Sequence, residues 1–527
     1  MERLTVEMLD GHLKLNLYDL LQLEKRRKYA CDFIDCRVWI SEGKGAFLEN
    51  GTVKGMGENY SGEFNVRVIA GNPVRAPGYD GQTFGARDFP QLLSLIASSI
   101  ETAYRRALAS SAEKNRRKEK WGPLGEALWS MELAMPQKGQ LMLDSVPATY
   151  TIDPRSVSLD AITALLKDVS ALIKDRPRIR YQIVAASTTL IREFIVGTFG
   201  ACIDQTFAIT EAPVLLVASE GSVQQEHMDY LAHQRGWEIM ETGINEELTQ
   251  LPPYREFARL FAQELSELCV SPPCPTIRDA IVVTEPHFNT LKVHEIVGHP
   301  TELDRILKME TGYAGRSWLF HGFDEHMVGK KVASPLVSAY SDPQLPGFGY
   351  YKYDHEGVLG QRVVHIEAGV LRGFMSSAQT AAVFGGESNG HWRASRGDMV
   401  PLIRMSNTVF APGDRNPDDI IREIDRGYLL AGHAIPSIAE SRENFRILAR
   451  RVHEIRDGKI GQLFRDGGIM ADSLGYLTSV DAVGNDFRLY PIPNCGKGSP
   501  MQVKKLGNGG PTMRARATLI GPSGEAA

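Results

Sequence analysis

Cysteine is scarce in this chain: Cys31, Cys36, Cys202, Cys269, Cys274 and Cys495 are the only six in 527 residues. So few thiols exclude a disulfide framework, and no two stand in the C-x-x-C spacing of a paired zinc ligand. Most are expected to be buried thiols, although a lone cysteine can still serve as a ligand. Charge of one sign is lacking too. Lys and Arg number 59 against 64 Asp and Glu, a net charge of −5, which leaves no electrostatic footprint for nucleic acid or an anionic membrane. Nowhere do about 18 apolar residues follow one another, and residues 1–30 alternate charged with apolar side chains without the apolar core of a signal peptide. The expectation is a soluble, cytoplasmic protein whose partners are neither nucleic acid nor membrane.

What the chain does have is length, and inside it one dense motif. Single cores stop growing at about 250–300 residues, so 527 residues predict two or three domains. Residues 30–90 read as short strands with Gly-rich turns, feeding a helix from Pro90 that ends in the basic run Asn115–Lys120, a solvated helix end. A second helix is predicted over Ser158–Lys174, where Leu159, Ile162, Leu166, Val169 and Ile173 share a face. Strand-rich segments and a helix near 252–268 follow, and Ser271-Pro272-Pro273-Cys274-Pro275 punctuates the chain. Beyond it lies a helix over about 289–307, then strands and turns with hairpins at residues 365–375 and 453–463, interrupted by one helix near 418–427. The boundaries that result are 1–125 (strands plus a long helix), 126–275 (an α/β middle region) and 276–527 (β-rich). The fold class is α+β, an N-terminal mixed α/β region followed by a predominantly β C-terminal domain with one helix carrying the motif.

That motif is His294-Glu295-Ile296-Val297-Gly298-His299. Two imidazoles flanking a carboxylate are the minimum kit for holding zinc and working a water on it. In H-E-x-x-H the histidines are four residues apart and share a helix face; here they are five apart, which in a regular helix rotates them about 140° away from each other. A π-bulge restores a common face, and such bulges recur at functional sites. Pro300 cannot donate to the carbonyl of Ile296, and Gly298 removes a side chain from the crowded turn. The competing reading is two ordinary helix histidines, one satisfied in the core and one solvated. A catalytic zinc takes three protein ligands and a water, so a third must come from a distant loop. Cys495, in Asn494-Cys495-Gly496-Lys497-Gly498, is a candidate because a thiolate is a good zinc ligand and the flanking Gly and Lys favour backbone approach and a charged sulfur. Spacing alone leaves that ligand open. His321 and His326 imitate the i, i+5 spacing and read as surface or turn residues.

The order H-E-I-V-G-H-P-T-E-L-D-R, Asp354-His355-Glu356-Gly357, Arg404-Met405-Ser406-Asn407, Gly484-Asn485-Asp486 and Asn494–Gly498 resembles the TldD/PmbA family of zinc metallopeptidases, in particular its catalytic TldD-like branch. The resemblance spans most of the chain and is strongest from 285 to 515. It implies that residues 276–527 form a zinc metallopeptidase domain, that His294, His299 and Cys495 bind Zn2+, and that Glu295 acts as the catalytic base. It also implies small or unfolded peptides as substrates, and a homodimer or a heterodimer with a PmbA-like partner. His355, the segment Ala431–Ser437 and residues 498–500 depart from the family's pattern, which bears on the substrate cleft rather than the zinc ligands. His355 and His433 are therefore candidates for approaching the cleft, while Arg404 and Asn407 either bind substrate or brace a loop. Two other functions stay open: a non-catalytic, zinc-containing peptide-binding subunit, and a zinc hydrolase of a non-peptide amide.

Overall fold

Cys31–Glu49 and Thr52–Ala70 are strands of 19 residues each, joined through Asn50 and Gly51. Their φ angles of 49° and 81° are what a two-residue hairpin turn that follows the strand twist requires. The expectation of short strands with Gly-rich turns is corrected here, because glycines 43, 45, 55, 57 and 62 lie inside the long strands. All but Gly57 serve close approach. A Cβ on Gly43 would meet Thr189 Oγ1 at 2.8 Å, one on Gly45 would meet Ala186 O at 2.9 Å, and one on Gly55 would press on the Phe47 ring at 2.5 Å.

In this computed structural model, which describes residues 3–117, 122–313, 315–323 and 325–522, the first sheet has seven strands. Its order runs 76–84, 52–70, 31–49, 179–197, 201–220, and the last of these pairs on its outer edge with both 142–146 and 223–233. Strands from residues 31–84 and from 142–233 thus share one sheet. Strand periodicity sorts the faces. Ile34, Cys36, Val38 and Ile40 pack under the helices Gly11–Arg27 and Leu92–Arg116, while Ala46, Leu48, Val184 and Ala186 pack under Leu159–Lys174 and Tyr254–Leu268. Ser158 caps the third of these helices, its Oγ accepting from Ala161 N at 3.1 Å. Of the basic run, Asn115 and Arg116 end the helix Leu92–Arg116 and Arg117 follows it; Lys118–Lys120 lie outside the described residues.

The opposite face of the sheet carries charge. Arg67 pairs with Asp35 and, at 2.9 Å, with Glu356, and Arg37 Nη1 lies 3.0 Å from His355 Nδ1. This face docks the C-terminal half. There, strand Ile277–Thr284 pairs with both Arg426–Ile438 and Met513–Ile520, so the strands 277–284, 426–438, 444–456, 468–472 and 513–520 close on themselves and present no free edge within that ring. A six-stranded sheet lies beside it, ending in Asn407–Phe410, Gln502–Gly510 and the edge strand Arg488–Lys497. Both expected hairpins form, with positive φ at Ala368-Gly369 and Asp457-Gly458. The motif helix runs between ring and sheet, and every residue from Phe288 to Leu307 is buried. The architecture is the expected α+β, with a strand-rich C-terminal domain. Among the described residues, no helix is long and apolar enough to cross a membrane.

Candidate metal centre

The helix Pro286–Val293 widens into a π-turn over His294–Gly298, closed by the His299 N–H donating to His294 O. This i→i+5 bonding swings the two imidazoles together, with ring centroids 4.7 Å apart and planes at 86°. The carbonyls that Pro300 and the widened turn release are taken by side chains. Trp318 Nε1 donates to Ile296 O at 3.3 Å, and Thr301 Oγ1 donates to Val297 O and Gly298 O at 2.9 Å each. A buried carbonyl left without a donor costs as much as a lost hydrogen bond, so these contacts are what make the bulge affordable. Gly298 is required for space, since a Cβ there would run into Met405 Sδ.

Among the described residues, His294, His299 and Cys495 form a group whose potential ligand atoms all lie within 4.8 Å of one another, each residue buried. Cys495 arrives on the edge strand Arg488–Lys497, just past a register shift between Ile492 and Cys495. Its Sγ is 3.7 Å from His299 Nε2, close to the separation of about 3.5 Å expected between a nitrogen and a sulfur on one tetrahedral zinc. Burial pushes both imidazoles down to about 4, so each is neutral at pH 7 and has a lone pair to offer. Burial pushes the Cys495 thiol up, and the Arg404 guanidinium beside it pulls it back down. Two neutral imidazoles and a thiol at these separations fit a metal ion.

Behind the imidazoles stands a layer that fixes their tautomers. His299 Nδ1 donates to Glu302 Oε2 at 3.0 Å, which turns Nε2 towards Cys495. Glu302 also binds Arg305 Nε at 2.6 Å and Lys497 Nζ at 3.2 Å, and Lys497 reaches Asp304 at 2.6 Å. Burial opposes the charge on Glu302, but Lys497, His299 and Arg305 hold its carboxyl well below the usual carboxylate range. Asn508 Nδ2 lies 3.1 Å from His294 Nδ1 while its Oδ1 is buried without a partner. The two ends of an amide are interchangeable by a flip, and with Oδ1 facing the ring, His294 Nδ1–H donates and Nε2 is free to bind. Removing one partner of a buried ion network costs about 3–5 kcal/mol, so Glu302→Gln should show that loss in urea unfolding. Removing support from a ligating histidine should also weaken metal binding by about 10–100-fold in a competition titration.

The cluster opens on a cavity of about 750 Å³ whose wall includes His294, Glu295, His299, Arg442 and Cys495. Gln224–Met228 of the N-terminal sheet's edge strand and Pro493–Gly496 form another part of the wall, and Tyr230 OH accepts from Asn494 Nδ2 at 2.9 Å beside it. Glu295 is buried and ion-paired with Arg442.

The other candidates separate cleanly. His433 lines the cavity with Ala434, Ile435 and Pro436, inside the segment that departs from the family's pattern. His355 does not reach it; its ring sits between Arg37 and Glu193 and receives the Ala394 N–H at 3.0 Å. Arg404 braces the cysteine strand, donating to Cys495 O at 2.5 Å and Gln502 O at 3.2 Å. Asn407 ties a loop, accepting from Gly349 N and donating to Asp342 O and Leu345 O. His321 is exposed and His326 half-buried in a small hairpin. Residues missed from sequence are Arg442, Asn508 and the Glu302–Asp304–Arg305–Lys497 network. Glu302, Asp304 and Arg305 stand in the motif stretch P-T-E-L-D-R, where three charges on a buried helix were the available signal.

Residues 278–521 match the family model described as the PmbA/TldA metallopeptidase C-terminal domain. A metalloprotease of Methanothermobacter thermautotrophicus is 34% identical over 305 residues, 58% of this chain and 62% of that protein. The C-terminal half is thus similar to the metallopeptidase domain of the TldD/PmbA family. Another relative, the zinc metalloprotease TldD homolog of Saccharolobus solfataricus, is 26% identical over 310 residues, 58% of this chain and 64% of that protein. The matched region therefore spans less than two thirds of either of these two TldD/PmbA relatives. TldE of Thermococcus kodakarensis superposes with a TM-score of 0.67 over 96% of this chain and 100% of its own, at 16% identity, so the two chains share a fold.

Proposed function

We propose that this chain is a zinc-dependent peptidase that hydrolyses small or unfolded peptides inside the cavity, with His294, His299 and Cys495 as metal ligands and Glu295 as general base. The observation that carries this reading is the π-turn, which puts a carboxylate on the cavity wall between two imidazoles and opposite a thiol. The zinc named for the Saccharolobus relative suits the donor set. Bound there, zinc would acidify water towards a pKa of about 7 and polarise a carbonyl. Glu295 then takes a proton from water at its carboxylate oxygen and returns it to the leaving nitrogen. Arg404 and the Glu302 network hold the ligand side chains in place.

Substrate size follows from the enclosure. A cavity of about 750 Å³ accommodates a small molecule or a short stretch of chain and not a folded domain. Edge strands 223–233 and 488–497 both contribute to its wall, so an extended peptide can add its backbone to a sheet edge while its side chains are read on alternate sides. The resemblance to the TldD/PmbA family supports pairing with a second copy or with a PmbA-like partner, which sedimentation of the purified chain with and without such a partner would test. Zinc content and cleavage of unfolded casein and short peptides, each with and without a chelator, test the central claim. About one zinc per chain and chelator-sensitive cleavage are expected. Zinc without any cleavage would favour a peptide-binding subunit, and cleavage confined to non-peptide amides would favour the other hydrolase.

A further inference from the structure

Among the described residues, the carboxylate of Glu295 has one hydrogen-bonding partner, the guanidinium of Arg442. Arg442 is 5% exposed and lies in the loop between the strands Arg426–Ile438 and Asn444–Arg456, with its side chain on the cavity wall. The loop holds it firmly. Its N–H donates to Ala439 O at 2.9 Å, its carbonyl accepts from Ser473 Oγ at 2.6 Å, and its φ of 67° is a backbone conformation that L side chains rarely adopt. Strained residues of this kind persist where the surroundings over-determine them and cluster at functional sites. The side chain also has unused capacity: Nε is buried and has no acceptor.

A guanidinium on the cavity wall, beside the proposed base, is placed to meet an anion that exists only during reaction. Resting on the peptidase reading above, we propose that Arg442 is a further catalytic residue, whose guanidinium binds the oxygen of the scissile carbonyl as that oxygen gains negative charge. The water oxygen bonds to the carbonyl carbon, the water proton passes to Glu295, and the electron pair of the carbonyl π bond moves onto the oxygen beside Arg442. The C–N bond then breaks, the pair on oxygen re-forms the carbonyl, and the nitrogen takes the proton held by Glu295. The products are a carboxylic acid and an amine. A guanidinium suits this task because it stays charged and its planar fork can keep one N–H on Glu295 while another turns to the oxyanion. It acts beside a buried carboxylate, where oriented charge is worth more than in water.

The test uses the zinc-loaded full chain. Arg442→Ala should lower kcat on a short peptide by about 10²–10³-fold, the range for losing one oxyanion donor, with KM held within about threefold and zinc content unchanged. Added guanidine should restore part of the rate. In calorimetry a phosphinic peptide, which mimics the tetrahedral oxyanion, should lose a comparable factor of affinity in Arg442→Ala, whereas an uncleaved substrate peptide bound to the Glu295→Gln background should not. Arg442→Lys guards against a folding defect, because it keeps the charge beside Glu295 without the fork, and it should lower kcat while KM holds. Wild-type kcat in either folded variant, a rise in KM alone, or equal weakening of the two peptides would overturn the proposal. A wild-type chain that binds zinc and cleaves no peptide would overturn the peptidase reading, and this proposal with it.

Discussion

Glu295→Gln should lower kcat for peptide cleavage by about 10²–10⁴-fold, the range a positioned general base contributes, while the chain still binds its metal. The two halves of this expectation have separate causes. Gln keeps the shape and the hydrogen-bonding oxygen of Glu295 but cannot accept a proton from water at neutral pH. The metal is untouched because the three converging ligand atoms belong to His294, His299 and Cys495. Arg442 loses its counter-charge, so some stability should be lost as well, and the comparison must be made on folded protein. Metal analysis beside single-turnover kinetics reads both halves. Wild-type rates in the variant would remove Glu295 from the mechanism, and loss of metal would mean that it is a ligand.

The local part of this site was legible in the sequence because helix geometry is local. A spacing of five residues, a glycine inside it and a proline after it predict a widened turn from bond patterns alone, and the π-turn over His294–Gly298 is what the chain forms. The donors that take the released carbonyls, Trp318 above all, lie too far along the chain for any pattern to announce them. Arg442 is 147 residues from its carboxylate and follows no motif. The helices at Leu159–Lys174 and Tyr254–Leu268 were visible through their long apolar stripes, but Ala378–Val383 and Ser473–Thr478 are six-residue turns marked only by their caps, Ser377 and Asp472. The misreading of residues 43–62 has a definite cause. Glycine signals both a turn and a close approach, and only the partner strands Thr52–Ala70 and Ile179–Gly197 decide between them. The two histidines in atypical segments looked equivalent in sequence; one lies on the cavity wall and the other is locked between Arg37 and Glu193, a difference set by how the C-terminal half docks on the first sheet.

Cys495→Ala should produce the largest loss of all, because it removes a ligand rather than a base. The thiol is the only one of the three ligand side chains that does not come from the π-turn, and its Sγ makes its polar contact with His299. Strand pairing with Lys504 and the grip of Arg404 on the Cys495 carbonyl are backbone interactions that alanine keeps. The fold should therefore survive while the ion does not: two imidazoles alone should hold less than about 0.1 zinc per chain after dialysis, against about one in the wild type. Hydrolysis should fall with the metal, and adding excess zinc should recover only a small part of it. Cys495→Ser sharpens the result, since a hydroxyl fills the space but is not a thiolate at neutral pH, and it should lose zinc almost as completely. Undiminished zinc and activity in both variants would place the third ligand elsewhere. His433 and His227, the other imidazoles on the cavity wall, would be the first to replace.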